Sequence, residues 1–297
     1  MQGRLTGVEI GGFVIGPHLA EGGMGSVYQA FQPGSNGPLA IKVMLPEFSE
    51  DAELRERFER EASLMQSLNH PHIMPVFAAG EQNGMLYFVM PFVRGPSLYE
   101  LLGRRRFSPM TAWQILNPVA QALGYAHSRG VVHRDIKPGN ILIESRKPKG
   151  NHVYLVDFGL SKVVGAATLT RTGIALGTPH YMAPEQVLSK PFTPLSDLYT
   201  LGVLMYEVLL GQLPFNALKP QDIAFMHVHD LPPTPRSLRP DFPKPLEPIL
   251  LQALAKDPKD RFASADEFRL AYAQAVQRIS PEARKVEYWV NIPTEKK

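Results

Sequence analysis

Apolar residues recur along this chain with two different periods, and the change of period falls near residue 95. Between residues 13 and 44, hydrophobic and polar positions alternate in short runs at 13–19, 26–31 and 39–44, separated by a glycine-rich turn and the loop Pro33-Gly34-Ser35-Asn36-Gly37. Period-two alternation punctuated by turn residues predicts an antiparallel meander. From 49 to 68 the period becomes helical. Leu54, Phe58, Ala62, Met65 and Leu68 recur at spacings of three and four among charged residues, which predicts one amphipathic helix. Runs at 73–79 and 85–90, the second entered through the turn signal Asn83-Gly84, complete a five-stranded sheet. Beyond Gly95 the pattern predicts helices at 111–128, 195–210, 246–255 and 264–279, of which 195–210 is apolar nearly all round and therefore buried. Prolines crowd 232–248, an irregular surface segment. The fold class is α+β with two unequal lobes. A small lobe (13–90) joins a large, mainly helical lobe (95–279) through the link 91–94, flanked by an extension at 1–12 and a tail or linker at 280–297.

At 297 residues and 44% hydrophobic content the chain has ample material for such a core. A net charge of +3 argues against a nucleic-acid partner, and the short basic runs at 104–106 and 146–149 read as solvated loops. The absence of cysteine excludes disulfides, thiolate metal sites and a cysteine nucleophile, and fits a reducing compartment. No apolar run reaches the ~18 residues of a membrane span, and the start does not read as a signal peptide. The histidine pairs His70/His72 and His227/His229 lack cysteines or a third convergent ligand, so packing and surface roles are expected of them.

Candidate chemistry concentrates in four places. The polar loop 133–140 lies between apolar runs that hold it against the core, so Asp135, Lys137 and Asn140 converge from a short, rigid backbone. Gly22, Gly23 and Gly25 sit between two strands, where backbone N–H groups can approach an anion closely. The chain contains no Gly-Lys dipeptide, which excludes a Walker-type loop, and a strand follows Gly25 where a dinucleotide fingerprint needs a helix. Lys42 shares a strand face with Ala40 and Met44 and is placed to meet phosphate, with Glu61 on the amphipathic helix as candidate partner. Asp157 ends an apolar strand that pairs with 141–143, which brings it beside Asn140; a carboxylate and an amide oxygen with few other ligands suit Mg²⁺.

With these motifs in this order, the chain resembles a eukaryotic-type serine/threonine protein kinase domain of the kind found in bacteria, from about residue 13 to 279. The resemblance implies ATP with Mg²⁺, or Mn²⁺, as cofactors. Gly22, Gly23 and Gly25 would cover the nucleotide phosphates, and Lys42, oriented by Glu61, would hold the α and β phosphates. Asp135 would accept the substrate hydroxyl proton, Lys137 would neutralise the transferring phosphoryl group, and Asn140 and Asp157 would bind metal. Leu19, Val27, Ala40 and Leu142 would sandwich adenine, Met90 would be the gatekeeper, and the Pro91 carbonyl and Val93 N–H would meet the ring edge. Glu185 would pair with Arg261, and Asp197 would hold the catalytic-loop backbone. Lys137 and Gly177-Thr178-Pro179 resemble serine/threonine rather than tyrosine kinases. Arg134 would read phosphate on Thr170 or Thr172, the expected autophosphorylation sites, with self-association for reaction in trans. Protein substrates follow, and a cytoplasmic location, either as a whole enzyme or as the cytosolic domain of a membrane-anchored kinase.

Ala20 departs from the usual first glycine of the loop, and Pro91 removes one hinge N–H while keeping the carbonyl. The alternatives are a pseudokinase acting as a nucleotide-binding scaffold, disfavoured by the intact Lys42, Glu61, Asp135, Asn140 and Asp157, and a small-molecule phosphotransferase, disfavoured by Ala183-Pro184-Glu185.

Overall fold

The computed structural model describes residues 5–34, 37–104, 106–146, 148, 150–158 and 179–287. The alternating segments of the small lobe form one antiparallel sheet: β1 (Glu9–Ile10), β2 (Phe13–Gly22), β3 (Gly25–Phe31), β4 (Leu39–Met44), β5 (Ala78–Gln82) and β6 (Met85–Pro91), in the order β1-β2-β3-β4-β6-β5. Six strands replace the expected five because Glu9 and Ile10 pair with Val14 and Phe13. The Gln82 side chain clasps this added strand, accepting the Gly11 N–H and donating to the Glu9 carbonyl at 3.2 Å. Asn83 and Gly84 both take positive φ (53° and 71°), the conformation that a two-residue turn between β5 and β6 requires.

The run at 73–79 is not a strand throughout. Ile73 only bridges Leu155, and the β5 ladder starts at Ala78, since Pro75 has no N–H to donate. The helix expected at 49–68 is broken at Asp51, whose backbone is extended (φ −96°, ψ 118°). Its carboxylate accepts the N–H groups of Glu53 and Leu54, so it ends α1 (Glu47–Glu50) and caps α2 (Ala52–Ser67). The two faces of β4 divide as its alternation predicts. Ile41 and Val43 pack with Ile10, Ile15, Tyr28 and Val89 in a core on the outer side of the sheet, while Met44 joins the main core that runs through α2 into the large lobe.

The link after β6 is pressed against the large lobe. A Cβ on Gly95 would collide with the Ile143 carbonyl, and the Ile143 N–H donates to Pro96 at 3.0 Å. Then follow α3 (Leu98–Leu102), capped reciprocally by Ser97 and Glu100, α4 (Pro109–His127), and the hairpin β7 (Ile141–Ser145) and β8 (Asn151–Leu155). The remainder comprises α5 (Pro184–Val187), α6 (Pro194–Leu210), α7 (Pro220–His229), α8 (Pro235–Leu238), α9 (Glu247–Ala253) and α10 (Ala265–Gln277). As its composition predicts, α6 is buried along nearly its whole length, including the polar residues Ser196, Asp197 and Thr200. The proline-rich stretch differs from its expected surface character: α8 forms within it, and Phe242 and Leu246 are buried at 2% and 0% exposure, anchoring it to the core. No helix among the described residues is long and apolar enough to cross a membrane.

Candidate active site

The loop 133–140 hangs from α6 by one carboxylate. Asp197, fully buried, accepts the N–H of His133 at 2.8 Å and that of His127 Nε2 at 2.8 Å on Oδ2, and the N–H of Arg134 at 2.9 Å on Oδ1. The hold is needed because Arg134 is in a left-handed conformation (φ 71°), a backbone state that an L residue with a long side chain adopts only when its surroundings impose it. His133 is the second clamp. Its Nε2–H donates to the Val156 carbonyl at 2.9 Å, which leaves Nδ1 to accept the Asp135 N–H at 3.2 Å. The buried imidazole packs on Phe158, and burial holds its pKa below the usual histidine range against the carboxylates of Asp197, Asp135 and Asp157.

This scaffold presents Asp135 with its neighbours arranged around it. Lys137 Nζ donates to Asp135 Oδ2 at 2.8 Å, and Asn140 Nδ2 donates to the Asp135 carbonyl at 2.7 Å and to Oδ2 at 3.0 Å. With its nitrogen committed, Asn140 has Oδ1 left as an acceptor. The hairpin closes as expected: Ile141 pairs with Leu155, and the Val156 N–H donates to the Asn140 carbonyl at 2.9 Å, so Asp157 returns beside the loop. Asp157, also left-handed (φ 64°), ion-pairs with Lys42 at 2.8 Å. Asn140 Oδ1 and the Asp157 carboxylate form a set of hard oxygen donors suited to Mg²⁺, which completes its shell with water and phosphate oxygens.

Register pairing explains how the small lobe contributes. Val27 lies opposite Lys42 and Ala40 opposite Met90, so all four share one face of the sheet, turned toward the cleft. Leu19, Val27, Met90, Pro91, Val93 and Leu142 are exposed or half-buried, whereas Ala40 and Lys42 are buried at 6% and 7% exposure. Glu61 is buried on α2. Of the glycine turn, Gly25 is required by the sheet itself: it has φ 153°, and a Cβ there would strike the Val43 carbonyl. A Cβ on Gly22 would meet only the Gly25 carbonyl, at 3.8 Å. A small cavity behind Met90 is lined by Met65, Leu68, Phe88, Asp157 and Phe158.

Below the loop, Glu185 and Arg261 pair in two parallel bonds of 2.8 and 2.9 Å. Arg261 directs its remaining N–H groups to the carbonyls of Leu195, Ala255 and Lys256, so the buried guanidinium is fully bonded. Burial raises the Glu185 pKa, but the Arg261 and Ser196 hydrogen bonds outweigh it and hold the carboxyl below its ordinary value. Thr168, Thr170, Arg171, Thr172, Gly177 and Thr178 lie outside the described residues, as does the Tyr288-Trp289-Val290 part of the tail. Sequence reasoning missed His127, His133 and Tyr199, and gave His227 only a packing or surface role. Each acts on a residue distant in the chain, and no local pattern marks such a histidine or tyrosine.

These buried imidazoles fix a pH dependence. Burial lowers His227 to about 4, and the unfolded chain protonates its histidines near 6.5. With the folded value below the unfolded one, the stabilisation is complete above pH 6.5 and is lost as pH falls toward 4. At pH 5 His227 alone accounts for about 2 kcal/mol of lost stability. Thermal melts from pH 7.5 to 5 should show Tm falling steadily; a flat Tm would contradict the assignment.

A sheet lobe and a helical lobe meeting at a carboxylate loop, a lysine–aspartate pair and an asparagine define a protein kinase fold. The family model described as "Protein kinase domain" matches residues 13–273, and the chain belongs to that family. It is 37% identical over 273 residues to serine/threonine-protein kinase PknH of Mycobacterium tuberculosis, covering 89% of this chain and 43% of the relative. It is 38% identical to PknJ of the same organism, covering 91% and 46%. The chain thus spans less than half the length of these curated relatives. The crystal structure of the M. tuberculosis PknI kinase domain superposes with a TM-score of 0.72 at 30% identity, over 91% of this chain and 98% of that one.

Proposed function

We propose that this chain transfers the γ-phosphate of ATP to serine and threonine hydroxyls of proteins. The observation that carries the reading is Asp135, held between Lys137 and Asn140 on a loop fixed to α6, with Lys42 and Asp157 paired beside it. Asp135 orients the incoming hydroxyl and accepts its proton, while the Lys137 ammonium faces the charge that develops on the transferring phosphoryl group. Lys42 binds the α and β phosphates, and the N–H groups of the Gly22–Gly25 turn lie over them. Val27 and Ala40 from the sheet and Leu142 from β7 enclose the adenine. Asn140 and Asp157 would hold Mg²⁺, which when bound neutralises phosphate charge. Arg134 offers a planar donor to phosphate on Thr170 or Thr172.

The test is to incubate the chain with ATP, Mg²⁺ and a basic protein substrate and to locate phosphate by mass spectrometry. Phosphoserine and phosphothreonine on the substrate, with phosphate on Thr170 or Thr172 of the chain, are expected. No transfer to substrate or self would refute the reading, and transfer with both threonines unmodified would refute the autophosphorylation sites.

A further inference from the structure

His227 is the least expected residue in the large lobe, an imidazole with no exposed surface on a helix, α7, whose only other buried side chain is Ile223. Simple packing would be served by an apolar residue. Here both ring nitrogens are used instead, and they reach two different elements. The His180 carbonyl, 3.1 Å from Nε2, can only accept, so Nε2 carries the proton; Nδ1 then accepts the Tyr199 hydroxyl of α6 at 2.9 Å. Lys256 steadies the helix end that carries the imidazole, donating to the carbonyls of Met226 at 3.1 Å and His227 at 2.8 Å while its ammonium lies 4.3 Å from the Phe215 ring centre. The next carbonyl, that of Tyr181, accepts the Thr200 hydroxyl at 3.0 Å, and the Tyr181 hydroxyl donates to Glu207. Two consecutive carbonyls of the turn Pro179–Tyr181 are therefore fixed, one to α6 directly and one through His227. The same helix suspends the Asp135 loop through Asp197.

We propose that His227 is a positioning residue for protein-substrate binding: its Nε2–H fixes the main chain at His180, and with it the turn tied to α6 at Thr200, within one helical turn of the Asp197 that holds the Asp135 loop, so that turn and loop stay in register. The inference rests on the protein kinase reading above. It concerns the protein substrate; the nucleotide-site residues bond elsewhere, Lys42 to Asp157 and Asn140 to Asp135.

The test is steady-state kinetics with myelin basic protein and ATP varied in turn, on wild type, His227→Asn, His227→Gln and Lys256→Met. The asparagine amide reaches only the Nδ1 position, whereas the glutamine amide nitrogen reaches that of Nε2. His227→Asn should raise KM for the protein substrate about fivefold, the equivalent of one neutral hydrogen bond. KM for ATP and kcat should stay within about twofold, and His227→Gln should restore the protein KM to within the same margin. Lys256→Met should raise it about threefold. An unchanged protein KM in His227→Asn overturns the proposal, as do equal losses in all constants for both His227 variants, which would mean fold support alone. Should the His227 variants fail to fold, an unchanged protein KM in Lys256→Met overturns it. A wild-type chain that transfers no phosphate refutes the kinase reading itself, a result distinct from all of these.

Discussion

Asp135→Asn should cut phosphoryl transfer by a factor of about 10² to 10⁴, the contribution of a positioned base, with little change in fold or nucleotide affinity. The amide is nearly isosteric with the carboxylate but cannot take the hydroxyl proton. The loop should keep its shape, because its supports are elsewhere. Asp197 holds the N–H groups of His133 and Arg134, His133 holds that of Asp135, and Asn140 Nδ2 retains the Asp135 carbonyl at 2.7 Å. The partners lost are the Lys137 ion pair and one Asn140 bond, at a carboxylate that is 27% exposed. Phosphate incorporation, nucleotide affinity by calorimetry and a thermal melt, measured on one preparation, check the three parts. Undiminished turnover would remove Asp135 from the chemistry.

Arg261→Met should be the more damaging change to stability. It leaves the Glu185 carboxylate buried without its two charge-assisted bonds, and leaves the carbonyls of Leu195, Ala255 and Lys256 without their donors. Removing one partner of a buried ion pair costs about 3–5 kcal/mol, which for a chain of this size lowers Tm on the order of 10 °C. Methionine approximates the length of the arginine stem, so the loss is mainly electrostatic. Replacing both residues together with apolar side chains should recover much of it, because no buried charge then remains unpaired. Calorimetric melts of the single and double variants decide the point; a single variant as stable as wild type would show that Glu185 finds other partners.

What the sequence discloses depends on the range of the interaction. Asp135, Lys137 and Asn140 lie within six residues, and the β7–β8 hairpin that returns Asp157 to them is itself local, so their convergence was readable. The two faces of β4 were readable for the same reason. Partnerships across the fold were not. Lys42 ion-pairs with Asp157 across the cleft. His127 meets Asp197 over 70 residues, and His227 meets His180 over 47. Nothing periodic records such distances. Short elements escaped as well: two residues of β1 have no period to detect, and the cap at Asp51 divides a helix whose apolar stripe runs through without interruption.

The added strand has a practical meaning for anyone choosing where to cut this protein. The family match begins at Phe13, yet Ile10 is wholly buried and shares the outer core of the sheet with Tyr28, Ile41 and Val89. A fragment trimmed to the match would strip the lid from that core and free the Gln82 amide from both of its backbone partners. Burying one isoleucine side chain is worth about 1.5–3 kcal/mol, so such a fragment would carry a sticky, weakened nucleotide lobe beside an undamaged helical one. Its poor behaviour could then be mistaken for a catalytic defect.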